Sequence, residues 1–530
     1  MARKRLTVLD LATKAPTRTL YARMMNPMFA SIMPQAIAAW CEELGHDVTY
    51  VCYTGFEDLD ALLAQDTDAV FISAFSRSAQ TAYAIANLYR KRGAVTILGG
   101  PHARAYPEDA IKYFDYVLGF TDRETVDDVL RELAPQLRSG QWLSAARQPS
   151  SLPSVASRWK FIAATCAKSP LFKIIPMIGS MGCPYTCGFC IDSVVDYQPL
   201  AFDQLREDLR FMLTKQARPL VGWHDPNFGV RFDDYMDVIE SSAPAGRIMH
   251  IAESSLSLLS EPHVKRLKSN NFVGIMPGIE SWFDHGAKSK TGRSTGLDKV
   301  RQVSDHINMV LRYVPFVQTN FVLGLDSDQG SDPFELTKRF FDMTPGAFPA
   351  FNLFTAYGRS APLNLELQRA GRVLPFPFFF LDSNHAMNVK PLNYEWQEFY
   401  RQSSDMTRYA LGGARVWRRF AANRGLINRS TNFVRGKFSL KRVDLYSRIP
   451  GLLESDPEIR PFFEGKSAKL PEFYIARMRG ALGPLWNALP PGAIAHDQNA
   501  YWKDPSGYQP SSRLRARRNK GATLDTAVQV

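Results

Sequence analysis

Apolar, strand-like runs alternate with amphipathic, helix-like patterns over much of this chain of 530 residues. A first series has five such runs, at 5–11, 46–53, 68–74, 94–100 and 115–119. Strands that are apolar on both faces and are separated by helices form parallel sheets covered by helices on both sides. The pattern therefore predicts an α/β chain whose residues 1–137 form a Rossmann-like, doubly wound parallel sheet. Such a sheet binds ligands at the carboxyl ends of its strands.

A second alternating series spans residues 171–360 and contains six strand–helix units. A closed eight-unit barrel usually needs ~250 residues, so this series predicts a central, partial (βα)6 TIM-like barrel with its active site at the carboxyl ends of the strands. Residues 138–170 are rich in Ser, Pro and small side chains without periodicity, which predicts a linker. Residues 361–510 are predicted to form a small, mainly helical C-terminal domain, and 511–530 a disordered basic tail.

The net charge of +12 is concentrated in the C-terminal part of the chain. Residues 401–442 hold eleven Lys/Arg and one acid, and 501–530 hold six Lys/Arg and two acids. An anionic partner would be met there. Because residues 401–442 alternate basic and apolar side chains, a helix of this sequence would suit peripheral contact with an anionic membrane and a lipid-like substrate. The alternative is a domain core flanked by a solvated basic face. No RNA-binding module accompanies the charge, so nucleic acid is not predicted as a partner.

The N-terminus shows no signal peptide, and no run reaches the ~18 apolar residues of a membrane span. We therefore predict a cytoplasmic protein, with peripheral contact at the inner membrane face as a further expectation. Six cysteines are few for this length and indicate a reducing compartment. Cys41, Cys52 and Cys166 are scattered singly and are predicted to be small buried hydrophobes.

The other three cysteines stand together in GSMGCPYTCGFC, residues 179–190, after the first strand of the predicted barrel. A structural zinc site normally has four ligands, and a catalytic disulfide uses two thiols. A [4Fe–4S] cluster held by three thiolates leaves one iron open for a small molecule. Gly182 and Gly188 would let the loop fold tightly around a cluster, and Phe189 would shield it from solvent.

The spacing Cys183-x3-Cys187-x2-Cys190, with an aromatic residue before the last cysteine, resembles the radical S-adenosylmethionine (SAM) superfamily. The resemblance implies that the three cysteines hold a [4Fe–4S] cluster whose open iron chelates SAM and cleaves it to a 5′-deoxyadenosyl radical. HDPNF, IAES, GIES and NFVLGLD resemble the family's strand ends. Together with the cysteine loop, these motifs imply SAM contacts from Phe189, Asp225, Asn227, Glu253, Glu280 and Gly324. The alternatives are solvated loop carboxylates for the acids and a helix cap for Asn227.

GGPHA, at residues 99–103, resembles the cobalamin-binding domain that precedes many radical SAM barrels. The resemblance implies cobalamin contacts from Ser73, Ser76, Gly99, Gly100, Pro101, His102 and Gly119. The family's Asp-x-His-x-x-Gly loop is absent, because residues 10–27 contain no histidine. We therefore expect cobalamin to bind without a protein ligand to cobalt. The alternative is a domain that has lost the cofactor, with His102 as a turn-stabilising residue.

Together the two resemblances imply an enzyme that C-methylates an unactivated carbon of a small or lipid-like biosynthetic substrate. A reductant protein such as a flavodoxin or ferredoxin would supply its electrons. Two alternatives stay open: a radical SAM cyclase or rearrangement enzyme without methyl transfer, and a non-catalytic corrinoid or iron–sulfur carrier. A pure electron carrier would be expected to have a fourth cysteine ligand and no SAM site.

Overall fold

The computed structural model describes residues 2–63, 66–136, 139–382, 386–441 and 443–496. The predicted tail at 511–530 and the last residues of the predicted C-terminal domain lie outside this range. Within it, two six-stranded parallel sheets are followed by a helical region, which confirms the predicted fold class. The domain boundaries given above stay predictions.

The first sheet has the strand order β2-β1-β3-β4-β5-β6, with every pair parallel. Its strands are β1 (Arg5–Leu11), β2 (Asp47–Tyr53), β3 (Ala69–Ser73), β4 (Val95–Gly99), β5 (Tyr116–Leu118) and β6 (Gln141–Leu143). Its helices are α1 (Leu20–Met25), α2 (Ile32–Glu43), α3 (Leu59–Leu63), α4 (Ala79–Arg90), α5 (Pro101–Ala105), α6 (Pro107–Ala110) and α7 (Arg123–Arg131). Successive residues of β1 point to opposite faces, so Val8 packs in the cluster with α2 and α7 while Leu9 packs in the cluster with α4. Both faces of the sheet are covered, as the prediction required.

The segment predicted to be a linker contains regular structure. Strand β6 pairs with β5 along its whole length, and helix α8 (Val155–Lys168) follows. The Ser154 hydroxyl accepts the backbone N–H of Ser157 and caps the start of α8. Phe161 of α8 packs in the same cluster as α2. These parts of 138–170 thus contain a strand and a helix that the sequence did not predict, because short pairing and a serine cap do not produce apolar periodicity.

The second sheet has the order β14-β13-β12-β11-β10-β7 and is parallel throughout. The strands of this half are β7 (Ile174–Met177), β8 (Ser180–Met181), β9 (Gln198–Pro199), β10 (Leu220–Trp223), β11 (Met249–Ser255), β12 (Phe272–Glu280), β13 (Phe316–Leu323) and β14 (Phe348–Leu353). The helices are α9 (Phe202–Lys215), α10 (Phe232–Ser242), α11 (Glu261–Ser269), α12 (Gly286–Ser289), α13 (Gly296–Leu311) and α14 (Asp332–Met343). β8 and β9 form a separate antiparallel pair. No pairing joins β7 to β14 among the described residues, so the six units form an incomplete barrel.

The C-terminal region is helical, and its helix at 396–411 packs against β14 and α14, the last unit of the barrel. It contains α15 (Pro362–Arg369), α16 (Trp396–Leu411), α17 (Gly413–Ala422), α18 (Leu426–Leu440), α19 (Val443–Tyr446), α20 (Ile449–Ser455), α21 (Ile459–Phe463) and α22 (Glu472–Leu482). The aromatic run at 375–380 ends in a 3₁₀ turn, Phe378–Phe380, whose three rings are buried. No helix in the described part of the chain combines the length and apolar character that crossing a bilayer requires.

Candidate functional site

The cysteine loop leaves the carboxyl end of β7 and is closed at its base by the β8–β9 pair. Gly182 begins the loop with φ +68°, and a Cβ there would lie 2.3 Å from the carbonyl oxygens of Val195 and Asp196. Only glycine allows both this backbone angle and this close return of the chain. The loop is therefore a compact structure held at the barrel rim, where the sequence predicted it.

The three thiols of the loop are half-buried. Burial raises the pKa of each, that of Cys190 to about 12, while the Lys288 ammonium opposes this rise. Phe189 lies beside them with its ring 5.3 Å from that of His285, in an edge-to-face arrangement. The loop thus offers three thiols, an apolar cover and a nearby cation.

Among the described residues, no three His, Cys, Asp or Glu side chains stand close enough to hold one metal ion. A cubane cluster spreads its thiolate ligands over different irons, so its cysteines are farther apart than the ligands of a single ion. The donor set of three thiols beside a positive charge fits an anionic iron–sulfur cluster. Cys183, Cys187 and Cys190 are the residues that would hold it.

Asp225 contacts the backbone before the cysteine loop. Its carboxylate accepts the Gly179 N–H at 2.9 Å and the Ser180 hydroxyl at 2.8 Å. The side chain is buried, and this desolvation raises its pKa to about 6 against the effect of these donors. Because both oxygens are engaged by the chain itself, Asp225 fits a positioning role for the loop better than the predicted SAM contact.

Asn227 and Glu253 lie on neighbouring strand ends. Asn227 Oδ1 accepts the Ser255 N–H at 2.8 Å, and this bond joins the segment after β10 to the end of β11. The Glu253 carboxylate opens onto a cavity but lies deep among protein atoms, which raises its pKa; Lys288 opposes the rise. Both side chains line this cavity, as a cofactor contact requires.

Glu280 ends β12 in the left-handed conformation, with φ +66°, and is buried. Its carboxylate forms an ion pair with Lys288. A Cβ at Gly278 would lie 2.1 Å from Glu280 Oε1 and 2.9 Å from Lys288 Nζ, so the glycine makes room for the pair. Although burial would lower the pKa of Lys288, the charge of Glu280 raises it above its ordinary value. The predicted acid therefore comes with a cation that the sequence did not indicate.

Gly324 lies away from the cavity and serves packing. It has φ +86°, and a Cβ there would lie 2.8 Å from Met387 Cε and 3.0 Å from Phe399 Cε2. The space left by the missing side chain is filled by the C-terminal region. Gly324 thus lies against side chains of the C-terminal region, whereas the sequence predicted a SAM contact for it.

A cavity of about 470 Å³ lies inside the partial barrel and reaches the Glu280–Lys288 pair. The first domain contributes Tyr21, Met25, Phe29 and Arg77 to its wall. The C-terminal helices contribute Thr407, Leu411, Arg435, Ser439 and Tyr446. The Tyr21 ring stacks on Phe438 of α18 at 4.1 Å between centroids, so α1 and α18 meet above the cavity. All three parts of the molecule enclose this space.

Polar amide side chains and two arginines, Arg77 and Arg435, line the cavity. Gln318, Asn320 and Asn352 line it from β13 and β14. Arg435 donates to Gln318 Oε1 at 2.6 Å and lies over the Phe348 ring at 4.6 Å. Sequence reasoning missed Lys288, Arg435 and the lining residues of 10–27; the run of basic side chains at 401–442 was the single signal that pointed towards Arg435.

Two of the candidate cobalamin residues, Ser76 and His102, contact each other, and the other five lie at strand ends or directly after them. Ser73 pairs with Gly99 across β3 and β4, and a Cβ at Gly99 would meet no atom within 4 Å, so there is unfilled space beside this buried glycine at the carboxyl end of β4. Gly100 has φ +90°, and a Cβ there would lie 2.9 Å from the Ala74 carbonyl oxygen; Pro101 then starts α5. A Cβ at Gly119 would lie 2.6 Å from Ser144 Oγ, so Gly119 serves the packing of β6.

His102 is fully buried and held by its neighbours. Its Nε2 lies 2.6 Å from the Tyr83 hydroxyl and its Nδ1 3.4 Å from Ser76 Oγ. Desolvation lowers its pKa to about 3. His102 and Ser76 are thus engaged with each other, which fits the turn-stabilising alternative. The unfilled space beside Gly99 is compatible with a corrinoid that takes no cobalt ligand from His102 or from residues 10–27.

Comparison with known proteins identifies relatives over most of the chain. No family model matches it. Bacteriochlorophyllide d C-12(1)-methyltransferase of Chlorobaculum tepidum is 24% identical over 331 residues, which cover 60% of this chain and 70% of that protein. Hopanoid C-2 methylase of Rhodopseudomonas palustris is 25% identical over 349 residues, 63% of each chain.

Two solved structures share the fold. OxsB, a cobalamin-dependent SAM radical enzyme solved with aqua-cobalamin, matches 94% of this chain and 82% of its own, with a TM-score of 0.52 and 12% identity. TsrM from Kitasatospora setae, a radical SAM methyltransferase solved with cobalamin and a [4Fe–4S] cluster, matches 74% of this chain and 79% of its own, with a TM-score of 0.50 and 12% identity. The fold of this chain is thus that of radical SAM enzymes with a cobalamin-binding-like domain, and the sequence relatives are methyltransferases.

Proposed function

We propose that this chain, which has the fold of radical SAM enzymes with an N-terminal cobalamin-binding-like domain, is a cobalamin-dependent C-methyltransferase. The observation that supports this most is the cavity, which is lined by strand-end residues of the barrel, including the Glu280–Lys288 pair, and by residues of the first domain. A methyl transfer between two cofactors needs one enclosed space that both can reach. A carrier protein would have no use for such a cavity.

In this proposal the cluster and SAM supply the one-electron chemistry, and cobalamin supplies the methyl group. The chain positions these groups and excludes water. Cys183, Cys187 and Cys190 hold the cluster; Asn227, Glu253 and the Glu280–Lys288 pair face SAM. The Lys288 ammonium lies beside the Glu280 carboxylate and acts on the thiols of the cysteine loop, so it balances negative charge in a partly desolvated site.

The cavity supports a small-molecule substrate with both polar and apolar parts. Gln318, Asn320 and Arg435 offer hydrogen bonds in its wall, while Tyr21, Met25 and Phe29 offer apolar surface. Hydrogen bonds would orient the substrate and apolar contact would exclude water. A flavodoxin- or ferredoxin-type reductant and a cytoplasmic location stay predictions.

Anaerobic reconstitution with iron, sulfide and hydroxocobalamin, followed by reduction in the presence of SAM, tests the proposal. We expect a cluster signal in electron paramagnetic resonance, corrinoid absorbance that stays with the protein on gel filtration, and turnover of SAM to 5′-deoxyadenosine or S-adenosylhomocysteine. Cys187→Ala should lose the cluster signal, and Cys166→Ser, which alters a buried thiol outside the loop, should keep it.

Three results would contradict the proposal in different ways. A cluster without any SAM turnover would support the carrier alternative. 5′-Deoxyadenosine formed by protein that retains no corrinoid would support the cyclase or rearrangement alternative. A full cluster signal in Cys187→Ala would refute the ligand assignment.

A further inference from the structure

Helices α17 and α18 expose large apolar side chains on one side of the C-terminal region. Of the ten large hydrophobic residues that are exposed in the described part of the chain, four lie within this pair of helices: Trp417, Leu426, Ile427 and Val434. Leu426 and Ile427 are 74% and 77% exposed, so most of each apolar side chain faces solvent. Together with the exposed Arg418, Arg424, Lys437 and Lys441, they form what we call the α17–α18 face.

The α17–α18 face is exposed although the helices themselves are firmly attached. On the inner side of α18, Asn428 Nδ2 donates to the Pro315 carbonyl at 2.6 Å, and Asn432 and Gly436 are buried. On the inner side of α17, the buried Arg419 donates to the carbonyls of Ala347 and Ala410. The exposed apolar stripe is therefore the outer face of well-anchored helices, and its exposure is not the result of loose packing.

The charge of this region has one sign. Between residues 406 and 443 the sequence has ten Lys/Arg and no Asp or Glu. In the described part of the chain, Arg424, Lys437 and Lys441 form no ion pair, and Lys441 lies over the Phe438 ring. By contrast, Arg266 on the barrel surface meets the carboxylates of Asp233, Asp237 and Glu240. Of the four cations of the α17–α18 face, Arg418 lies 3.7 Å from the Asp342 carboxylate, and the other three have no counter-charge among the described residues.

We propose that the α17–α18 face docks on an anionic lipid bilayer, with Trp417, Leu426, Ile427 and Val434 entering the headgroup–acyl boundary. Apolar side chains beside lysines and arginines are what such a surface binds: burial of the apolar groups and attraction to anionic headgroups act together. A second copy of the chain would set the same cations against one another. Nucleic acid would meet the cations but leave the apolar stripe in water.

Docking would place the cavity close to the membrane. Arg435 and Ser439, which line the cavity, belong to the same helix as Leu426, Ile427 and Val434. A substrate that partitions into the bilayer would thus meet the protein beside its cavity. The docking surface itself does not depend on the proposed methyl transfer, so the two proposals fail separately.

Co-sedimentation of the full chain with lipid vesicles tests this inference. We expect binding to vesicles of phosphatidylcholine mixed with phosphatidylglycerol to exceed binding to pure phosphatidylcholine by roughly tenfold or more, and to fall as salt rises. Leu426→Ser with Ile427→Ser should reduce binding about tenfold, and Arg424→Gln with Lys437→Gln and Lys441→Gln should remove the preference for anionic lipid. Leu392→Ser and Lys91→Gln, which alter exposed residues elsewhere, should change neither.

A second readout separates docking from folding. Brominated acyl chains should quench part of the tryptophan fluorescence, and Trp417→Phe should remove most of that quenching while circular dichroism stays unchanged. Equal binding to neutral and anionic vesicles, or binding unaffected by the α17–α18 variants, would overturn the proposal. Dimers that Leu426→Ser with Ile427→Ser dissociates, or RNA binding in place of vesicle binding, would assign the face to another partner.

Discussion

One buried carboxylate, that of Asp225, fixes the backbone that leads into the cysteine loop. Asp225 receives hydrogen bonds from Gly179 and Ser180, the two residues that lead into the cysteine loop. Asp225→Ala would leave a buried N–H and a hydroxyl without this acceptor, at about 1–3 kcal/mol each. We expect less iron per chain after reconstitution and a lower melting temperature.

The control for this prediction is Asp233→Ala, which alters an exposed carboxylate of the same barrel and should keep full iron content. If Asp225→Ala also loads iron fully, the carboxylate does not position the loop. If iron is retained but SAM no longer binds, the sequence-based role of Asp225 as a SAM contact gains support instead.

Asp10 makes stability depend on pH. It is the last residue but one of β1, and its buried carboxylate accepts the Ser31 N–H at 2.7 Å. Desolvation raises its pKa to about 7, whereas an unfolded chain has about 3.9. The native state therefore binds the proton more tightly, and this group's contribution to the free energy of unfolding falls as pH rises from about 4 to about 7 and stays constant above that.

Asp10→Asn keeps an acceptor for Ser31 and removes the ionisation. We expect the variant to be more stable than the parent at pH 8 by roughly 1–4 kcal/mol, since each pKa unit is worth about 1.4 kcal/mol. The difference should shrink as pH falls towards 4. Urea unfolding at several pH values measures it; a difference that does not vary with pH would show that Asp10 is ionised in the folded protein.

At the scale of elements, the geometry of the cysteine loop depends on one glycine. Gly182→Ala would place a Cβ 2.3 Å from two carbonyl oxygens at φ +68°. Gly292 offers a matched control, because it has φ +57° and open space around it. Both substitutions carry the strain of a left-handed alanine, about 1 kcal/mol, but only Gly182→Ala adds a clash.

We expect Gly182→Ala to lose most of the cluster absorbance and Gly292→Ala to keep it, while both melt at slightly lower temperatures. Equal cluster loss in the two variants would mean that the strain of a left-handed alanine is enough to prevent cluster binding, and that the clash with Val195 and Asp196 is not the cause.

The sequence predicted five strands of the first sheet and all six of the second because each lies in an apolar run between helical patterns. It missed β6, which has three residues, one of them Gln141. It also missed α8, because the Ser- and Pro-rich segment before it reads as a linker while Ser154 in fact caps the helix. Short strands depend on their partner strand and caps on a single hydrogen bond, and neither leaves a periodic signal.

The candidate site could be predicted in part for the same reason. The cysteine spacing and the acids at strand ends are local, and the structure places Asn227, Glu253 and Glu280 along one cavity. Lys288 comes from the next helix and meets Glu280 only in the folded barrel. Gly324 has its role fixed by Met387 and Phe399, more than sixty residues away in sequence. Partners that meet through tertiary folding leave no pattern within one segment.

At the scale of the whole molecule, the two sheets are joined by specific contacts. Arg104 of α5 lies 4.0 Å from Asp192 of the cysteine loop. The Tyr106 hydroxyl donates to the Ala356 carbonyl at 3.3 Å, and Gly358 passes so close to Ala105 that a Cβ would lie 2.2 Å from its carbonyl oxygen. The segment after β14 thus packs directly on α5, and these contacts set the position of the first sheet over the barrel rim.

A mostly buried ion pair completes this interface and provides the last prediction. Glu108 of α6 pairs with Arg359, and their side chains are 12% and 7% exposed. Removing one partner leaves a buried charge unpaired, which costs about 3–5 kcal/mol, whereas replacing both by apolar groups is often neutral. Glu108→Ala should therefore weaken the attachment of the first sheet to the barrel.

Differential scanning calorimetry should show one transition for the parent and either two transitions or a much lower one for Glu108→Ala. Glu108→Met with Arg359→Met should recover most of the loss, and Glu261→Ala, which breaks an exposed pair with Lys265, should cost less than about 1 kcal/mol. Because Tyr21 and Arg77 of the first domain line the cavity, Glu108→Ala should also lower SAM turnover more than it lowers cluster content. Loss of both in equal measure would mean that the pair supports the cysteine loop through Arg104 and Asp192, and not the closure of the cavity.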